Sequence, residues 1–433
     1  MPTSLFPDLT RELIKNNTIP DSHYKELDVK RGLRNSDGSG VLAGLTTVSS
    51  VIGSTKTETG LEPTDGILKY RDIRIRDLVA QLSTVPKYHF EIITFLLLVG
   101  RLPEDHELET LCKHMALHRS LPKRLLANII QAVPSNNVMN KLQTTISALY
   151  TEDRNPDSID PYDTFLQSIE LIAKIPSIVA YSYLSAFKPG ATVVEAPEHM
   201  STAEAFLFML REGKEASQLE IDMLDLSLVL HAEHGGGNNS SFTAHVVTSS
   251  GTDIYSALAA AVGSLNGPLH GSANRKVREM MIDIKANISD WTNVDLLKRY
   301  LTKIINKEAH DKSGKIYGLG HAVYTKSDPR AIILKTKAAE LAKEKDRLNE
   351  YQLYLNIESE GPKLFQDIKQ SNKVISPNVD FFSGFVYDCL GIPKEVYTPM
   401  FAMARSAGWC AHRLEEILSG KRIIRPKYQF IKL

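Results

Sequence analysis

The sequence predicts a mainly α-helical fold, with a large helical domain and a smaller helical domain inserted before the C-terminal segment. Three observations carry that expectation. Apolar residues recur at helical spacing behind capping residues. Alternating strand patterns are scarce. A charged, lysine-rich interval, Gly271 to Ser376, lies between two breaks containing glycine and proline. It assigns residues 1–270 and 377–433 to the large domain and 271–376 to the small one.

The elements follow in chain order. The stretch "GILKYRDIRIRDL", Gly66 to Leu78, reads as a short strand or hairpin ahead of a helix. "IITFLLLVG", Ile92 to Gly100, is too short to span a bilayer and reads as a buried helix. "STAEAFLFMLREGKEASQLEIDMLDLSLVLHAEH" gives two helices split near "REGKE". "TDIYSALAAAVGSL" is a helix capped by Thr252 or Asp253. "DPRAIILKTKAAELAKEKD" is a helix with Pro329 near its start, where a missing N–H costs nothing. Near the C-terminus Leu414, Ile417 and Leu418 share one helical face, and Gly420 follows as the C-cap.

Composition excludes several classes. The 433 residues are 42% hydrophobic, enough for a substantial core, and carry 51 basic against 51 acidic side chains. That balance argues against a general binder of nucleic acid or of a membrane surface. Three cysteines, Cys112, Cys389 and Cys410, lie far apart in sequence and form no CxxC pair, which fits a reducing compartment. The N-terminus shows no charged n-region followed by an apolar h-region, so the expectation is a cytoplasmic protein.

The side chains that carry chemistry sit on turns and predicted helix ends. In "HAEHGGGNNSSFTAH", His231 and His234 are three apart with Glu233 between them, whereas a zinc-protease helix needs HExxH. An anion- or substrate-facing role and a plain helix C-terminus both fit this stretch. In "GPLHGSANRKVREMM", His270 precedes a helix that Gly271 or Ser272 would cap. The positive helix end disfavours imidazolium, so His270 is either a neutral hydrogen-bond donor or a turn filler. In "GKIYGLGHAVYTKSDPR", the glycines of Tyr317-Gly318-Leu319-Gly320 let backbone N–H groups approach a ligand, and His321 follows. Arg330 offers a fork of donors to a carboxylate or phosphate, or makes a surface ion pair. In "SPNVDFFSG", Asp380 stands before Phe381 and Phe382, either a desolvated base or a helix cap. Arg405 lies on a mostly apolar helical face and needs an anionic partner; Arg425 sits beyond that helix, before Pro426.

Together these are histidines, one aspartate and arginines. The arginines suit a substrate with more than one carboxylate. A carboxylate base with neutral histidine donors suits proton abstraction α to a carbonyl, where charge develops on oxygen. Spacing alone does not assign the roles.

The ordered set "GILKYRDIRIRDL", "LLLVGRLPEDHEL", "HAEHGGGNNSSFTAHVV", "GPLHGSAN", "GLGHAVYTKSDPR", "PNVDFFSG", "MARSAGWCAH" and "IIRPK" resembles the citrate synthase family over nearly the whole chain. "HGGGNN" and "DVKRGLRNSDGSGV" are most similar to its bacterial branch, which includes 2-methylcitrate synthases. The resemblance implies a homodimer, each subunit a large and a small helical domain with the active site in the cleft. It implies condensation of acetyl-CoA with oxaloacetate, then hydrolysis of the citryl thioester, with no metal or redox cofactor. By the same resemblance Asp380 is the base, His270 the donor to the thioester oxygen, and His321 the group that polarises the oxaloacetate carbonyl. His234, Arg330 and Arg405 hold the dicarboxylate. Arg425 reaches the site of the second subunit, and Tyr317, Gly318, Leu319 and Gly320 belong to the CoA loop. Leu319 and Asp72 depart from the family's usual residues without removing a catalytic group. A propionyl-CoA-using 2-methylcitrate synthase, a non-catalytic metabolite-binding homologue and a metal-binding module are the competing expectations.

Overall fold

Capping residues set most helix boundaries in this chain. The computed structural model describes residues 5–58, 60–271, 273–372 and 374–432. The chain divides into two units, one of residues 1–45 and 424–433, the other of residues 46–423.

The first unit contains helices α1 (Leu5–Asn17) and α2 (Asp21–Glu26) and a turn closed by the Arg34–Gly40 bridge. Asp37 Oδ1 accepts the Ser39 N–H at 2.8 Å inside that turn. Among its described residues none is buried. Phe6, Leu9 and Leu13 recur at helical spacing on α1 and are exposed, Phe6 to 71%.

The second unit begins with an antiparallel sheet of β1 (Ser49–Thr57), β2 (Gly60–Tyr70) and β3 (Ile73–Arg74). Ser49 pairs with Tyr70 and Thr57 with Gly60, with an irregularity between Ile52 and Ser54. The expected hairpin at Gly66 to Leu78 is therefore larger and starts earlier. Its first strand went unforeseen because Gly53 and a run of small polar residues blur the alternation. The helices are α3 (Ile75–Leu82), α4 (His89–Val99), α5 (Asp105–His118), α6 (Lys123–Leu125), α7 (Val138–Leu149), α8 (Pro161–Phe187) and α9 (Thr202–Leu210). They continue with α10 (Gln218–His231), α11 (Asn239–Thr248), α12 (Ile254–Asn266), α13 (Ala273–Asn287), α14 (Val294–Ile305) and α15 (Pro329–Glu344). The last three are α16 (Leu348–Lys369), α17 (Val379–Cys389) and α18 (Tyr397–Ser419).

The caps explain these limits. Ser201 with Glu204 and Ser217 with Glu220 form capping boxes that open α9 and α10. Asp253 Oδ1 accepts the Ser256 N–H at 2.7 Å and opens α12, as expected. Asp328 caps α15 with Pro329 at its first turn. Gly420 is the C-cap of α18, in an extended conformation rather than the left-handed one. Nine consecutive residues of α4, Phe90 to Leu98, are buried, so a helix apolar all round forms core. α18, buried from Tyr397 through Leu414 except at Thr398 and Phe401, runs through that core against α4, α8, α10, α11 and α12. No helix among the described residues is long and apolar enough to cross a membrane.

The sheet props one loop. A Cβ on Gly53 would lie 2.1 Å from Val323 O, and one on Gly66 would lie 2.2 Å from Ser327 O. Gly66 N–H also donates to Ser327 O at 3.1 Å. Both strands thus touch residues 323–327, the approach to α15. The interval 271–376 supplies α13 to α16, and α13 and α15 pack on α17.

Candidate active site

α10 ends at His231, ahead of Gly235, whose φ of 88° only glycine adopts readily. His231 O accepts the Arg405 Nε–H at 2.8 Å. His234 is buried and its Nε2 has no hydrogen-bond partner among the described residues. Burial and the nearby positive charge of Arg330 hold it well below the usual histidine range. Arg405 is 1% exposed and its Nη1 is also unpartnered. His231 Nε2, Glu233 Oε2 and Tyr324 Oη are likewise unpartnered among the described residues, which makes this region a candidate ligand position.

Behind them is a buried ion pair. Glu233 accepts from Ser49 Oγ at 2.9 Å and from His412 Nε2 at 3.0 Å. Burial pushes Glu233 up, but His412 and Arg405 outweigh it and hold it at about 2. Burial pushes His412 down, and Glu233 outweighs that to hold it at about 9. Glu233 is thus an anion near buried Arg405, as a buried arginine requires.

His270 lies in the turn between α12 and α13, with its N–H on Gly267 O at 2.9 Å. Its Nε2 is 3.1 Å from Ser240 Oγ, which accepts from Trp409 Nε1 at 3.1 Å. His270 is pushed down to about 4, first by burial and then by Arg405. The neutral form expected from the sequence is present, with burial as its main cause instead of a helix dipole. α13 starts at Ala273, and the capping candidate Ser272 lies outside the described residues. Gly271 is required for close packing, since a Cβ there would lie 2.1 Å from Leu265 O.

His321 has a fixed tautomer. Its Nδ1 accepts from the N–H groups of Val323 and Tyr324, each at 3.0 Å. A nitrogen accepting two N–H bonds carries no proton, so the ring proton is on Nε2. Burial and Arg330 push His321 down to about 4. Its ring stacks on Tyr324 at 4.8 Å and meets His234 edge-on at 5.2 Å.

Arg330, 2% exposed, is clamped by Asp328: Nε to Oδ1 is 3.0 Å and Nη2 to Oδ2 is 2.8 Å. The alternative of a surface ion pair is therefore replaced by a buried one. Asp328 Oδ2 also accepts the Val379 N–H at 3.1 Å, at the first residue of α17.

Asp380 is the next residue. Asn378, not Asp380, caps α17 by accepting the Asp380 N–H at 3.0 Å. Burial raises Asp380 to about 6, against the lowering by Arg330 and Arg405. The helix N-terminus favours the carboxylate, so here desolvation wins. Phe381 and Phe382 point into the core with their rings 5.2 Å apart.

The glycine loop is laced to the same turn. Gly320 N–H donates to Ser376 O at 2.8 Å, Asn378 N–H to Gly318 O at 2.9 Å, and Asn378 Nδ2 to Gly320 O at 2.8 Å. Gly318 has φ of 82°, and a Cβ there would lie 2.6 Å from Phe381 Cδ2. Tyr317 donates its hydroxyl to Asp311 at 2.5 Å, and Leu319 bridges Pro377.

The expected residues thus gather in the second unit, apart from Arg425, which is exposed in the first. The charge of Arg405 acts on His234, His270 and Asp380, and that of Arg330 on His234, His321 and Asp380. Sequence reasoning missed Asp328, Ser240 and Asn378, and named Glu233 only as the residue between two histidines. Asp328 had a signal, an aspartate directly before the helix-opening Pro329. The ensemble joins a carboxyl group tuned toward neutral pH, two neutral imidazoles and two buried arginines, equipment for enolising a carbonyl compound beside a bound dianion.

Known proteins share this arrangement of the chain. A family model described as citrate synthase, C-terminal domain, matches residues 37–427. Citrate synthase 2 of Bacillus subtilis (strain 168) is 35% identical over 393 residues, 90% of this chain and 94% of the relative. The citrate/2-methylcitrate synthase of the same organism is 36% identical over 361 residues, 83% of this chain and 89% of the relative. A solved ternary complex of carboxymethyl coenzyme A and oxaloacetate with citrate synthase from Thermoplasma acidophilum matches with a TM-score of 0.76 at 26% identity, covering 93% of this chain and 96% of that one. The chain belongs to the citrate synthase family, and it is an acyltransferase of the citrate synthase type.

Proposed function

We propose that the chain condenses acetyl-CoA with oxaloacetate and water to give citrate and CoA, with the site residues in the following roles. Asp380 takes a methyl proton from the thioester, and the C–H electron pair becomes the enolate. His270 donates a hydrogen bond to the thioester oxygen as charge builds there. Ser240 Oγ, 3.1 Å from His270 Nε2, supports this by holding the ring in place. His321 Nε2–H polarises the oxaloacetate ketone and protonates the alkoxide formed when the enolate carbon attacks. Arg330, Arg405 and His234 hold the two carboxylates. Water then cleaves the citryl thioester, releasing citrate and CoA. None of these steps calls for a metal or redox cofactor.

One observation carries the reading. A carboxyl group held at about 6 shares the field of two buried arginines with imidazoles held at about 4. Neighbouring groups with separated proton affinities are the mark of an acid–base pair.

CoA is held by the loop of Tyr317, Gly318, Leu319 and Gly320, a role supported by that loop's hydrogen bonds to the turn ahead of Asp380. The protein works as a homodimer in which Arg425 reaches the second subunit's site. The unburied first unit supports this, because Phe6, Leu9, Leu13, Tyr428 and Phe430 are exposed. Residues 271–376 move as the small domain against residues 1–270 and 377–433, closing over the substrates and excluding water. The chain works in the cytoplasm, a placement supported by the free cysteines.

A thiol-release assay with oxaloacetate and either acetyl-CoA or propionyl-CoA tests the reaction. A larger kcat/KM for acetyl-CoA is expected, with full turnover in excess chelator. A propionyl preference would make the chain a 2-methylcitrate synthase, the activity named in one relative. Discrimination by one methylene is worth about 1–3 kcal/mol, so the two ratios are measurably different. No thiol release with either would defeat the catalytic reading.

A further inference from the structure

His114 and His118 lie one turn apart on α5, and Glu170 projects from α8 beside them. His118 Nε2 is 3.5 Å from Glu170 Oε1, and His114 Nε2 is 3.9 Å from the same oxygen. A tetrahedral zinc ion with bonds of about 2.0–2.1 Å holds its ligand atoms about 3.3 Å apart, so these three are nearly placed.

The lone pairs are free for it. His118 Nδ1 bonds to His114 O at 2.9 Å, which puts the ring proton on Nδ1 and the lone pair on Nε2. A backbone carbonyl on the far ring nitrogen is how metal-binding histidines are usually oriented. His114 Nε2 is buried with no hydrogen-bond partner among the described residues. Lys174 Nζ holds Glu170 Oε2 at 3.4 Å, leaving Oε1 to face the imidazoles. The side chains are 31%, 35% and 37% exposed, so an ion in solution reaches them. His118 and Glu170 line a cavity of about 560 Å³ whose wall also carries Glu152, Asp153 and Asp163 along with the cations Arg154 and Lys174.

A second cluster, His245, His412 and Glu415, has similar spacing. There His412 Nε2 is already on Glu233 and His245 Nδ1 on Glu416, so the nitrogens are engaged.

We propose that His114, His118 and Glu170 form a binding site for a borderline divalent transition ion such as Zn²⁺, which ties α5 to α8 and leaves one position open toward the cavity. Two imidazoles and one carboxylate select zinc, nickel or copper over magnesium or calcium. The site contains none of the residues assigned to the condensation and stands independently of that reaction.

The test uses metal-free, untagged protein titrated with ZnCl₂ in a calorimeter. We expect one ion per chain with Kd below about 10 µM, a rise in Tm on binding, and a loss of at least about tenfold in affinity in Glu170→Gln. His114→Ala/His118→Ala should abolish the site while thiol-release activity persists. Wild-type protein loaded with Co²⁺ should show the intense visible absorption of a four-coordinate ion, a readout that needs no variant to fold. Zn²⁺ binding of equal affinity in the double variant, no binding at ~100 µM, or a weak six-coordinate Co²⁺ spectrum would overturn the proposal.

Discussion

The carboxylate of Asp328 grips the guanidinium of Arg330 through two hydrogen bonds of 3.0 and 2.8 Å, with both side chains at most 3% exposed. The same carboxylate accepts the Val379 N–H, so the proposed substrate arginine and the helix bearing the proposed base share one anchor. Asp328→Asn keeps the shape and removes the charge. Oxaloacetate KM is expected to rise at least ~tenfold, and unfolding free energy to fall by ~3 kcal/mol, since a buried charge loses its partner. Steady-state kinetics and urea unfolding measure both. An unchanged KM would show that Arg330 is oriented without Asp328.

Asp380→Asn should lower turnover by about 10²–10⁴, the usual worth of a general base. Oxaloacetate affinity, read by calorimetry, should hardly move. The variant should also be more stable. A carboxyl raised to about 6 is disfavoured in its ionised form by folding, a cost complete above that pH. Removing it is expected to return about 1–3 kcal/mol at pH 7. Loss of turnover with loss of stability would point to a structural role.

The pH dependence follows in sign. The proposed base, Asp380, works only as a carboxylate, so kcat/KM for acetyl-CoA should fall as pH drops through about 6. His270 and His321, at about 4, stay neutral there and add nothing to that limb. One proton should therefore govern the decline between pH 7 and 5. A slope of two would implicate a histidine as well.

The Glu233–His412 pair predicts a stability window. His412, raised from 6.5 to about 9, contributes fully below 6.5 and loses that contribution as pH rises through about 9. Glu233, lowered from 4.5 to about 2, contributes above 4.5 and loses it as pH falls through about 2. The pair is complete between 4.5 and 6.5. Glu233→Gln should cost about 1–3 kcal/mol inside that window, because buried His412 is left with only the Glu415 carboxylate, 3.7 Å from its Nδ1. Melting curves across pH would expose a flat difference, contrary to this account.

Gly318→Ala should lower acyl-CoA turnover at least ~tenfold. The residue would need a positive φ, and its methyl would press on Phe381 Cδ2 and Val277 Cγ2. Wild-type kinetics in this variant would show that the loop relaxes without disturbing Asp380.

Local signals in the sequence went far for the helices. Asp253 and Pro329 marked helix starts, and the apolar run at Ile92 marked a buried helix, because caps and apolar periodicity act within a few residues. The candidate site was legible where reactive side chains sat on turns, as at His270, His321 and Asp380. The first strand was hidden because its partner, not its own pattern, makes it a strand. The supporting groups were hidden for the same reason. Glu233 meets Ser49 and His412 across 184 and 179 residues, and nothing local in "HAEH" announces either partner. His270 was read as neutral on a helix-end argument, whereas burial, which a sequence does not display, is the larger cause.

The lacing of Gly318 and Gly320 to Ser376 and Asn378 limits how this enzyme can evolve or be engineered. An insertion or deletion in either strand of that lace would shift Asp380 along with the proposed CoA loop, so length variation is closed as a route to altered CoA packing. Side-chain replacement stays open, as at Leu319 in the proposed CoA loop. Leu319 projects toward Gly361, where a Cβ would lie 2.7 Å from Leu319 Cδ1, so the two positions would have to change together. A library that pairs a smaller residue at 319 with alanine at 361 explores altered CoA packing while leaving the backbone register of Asp380 untouched.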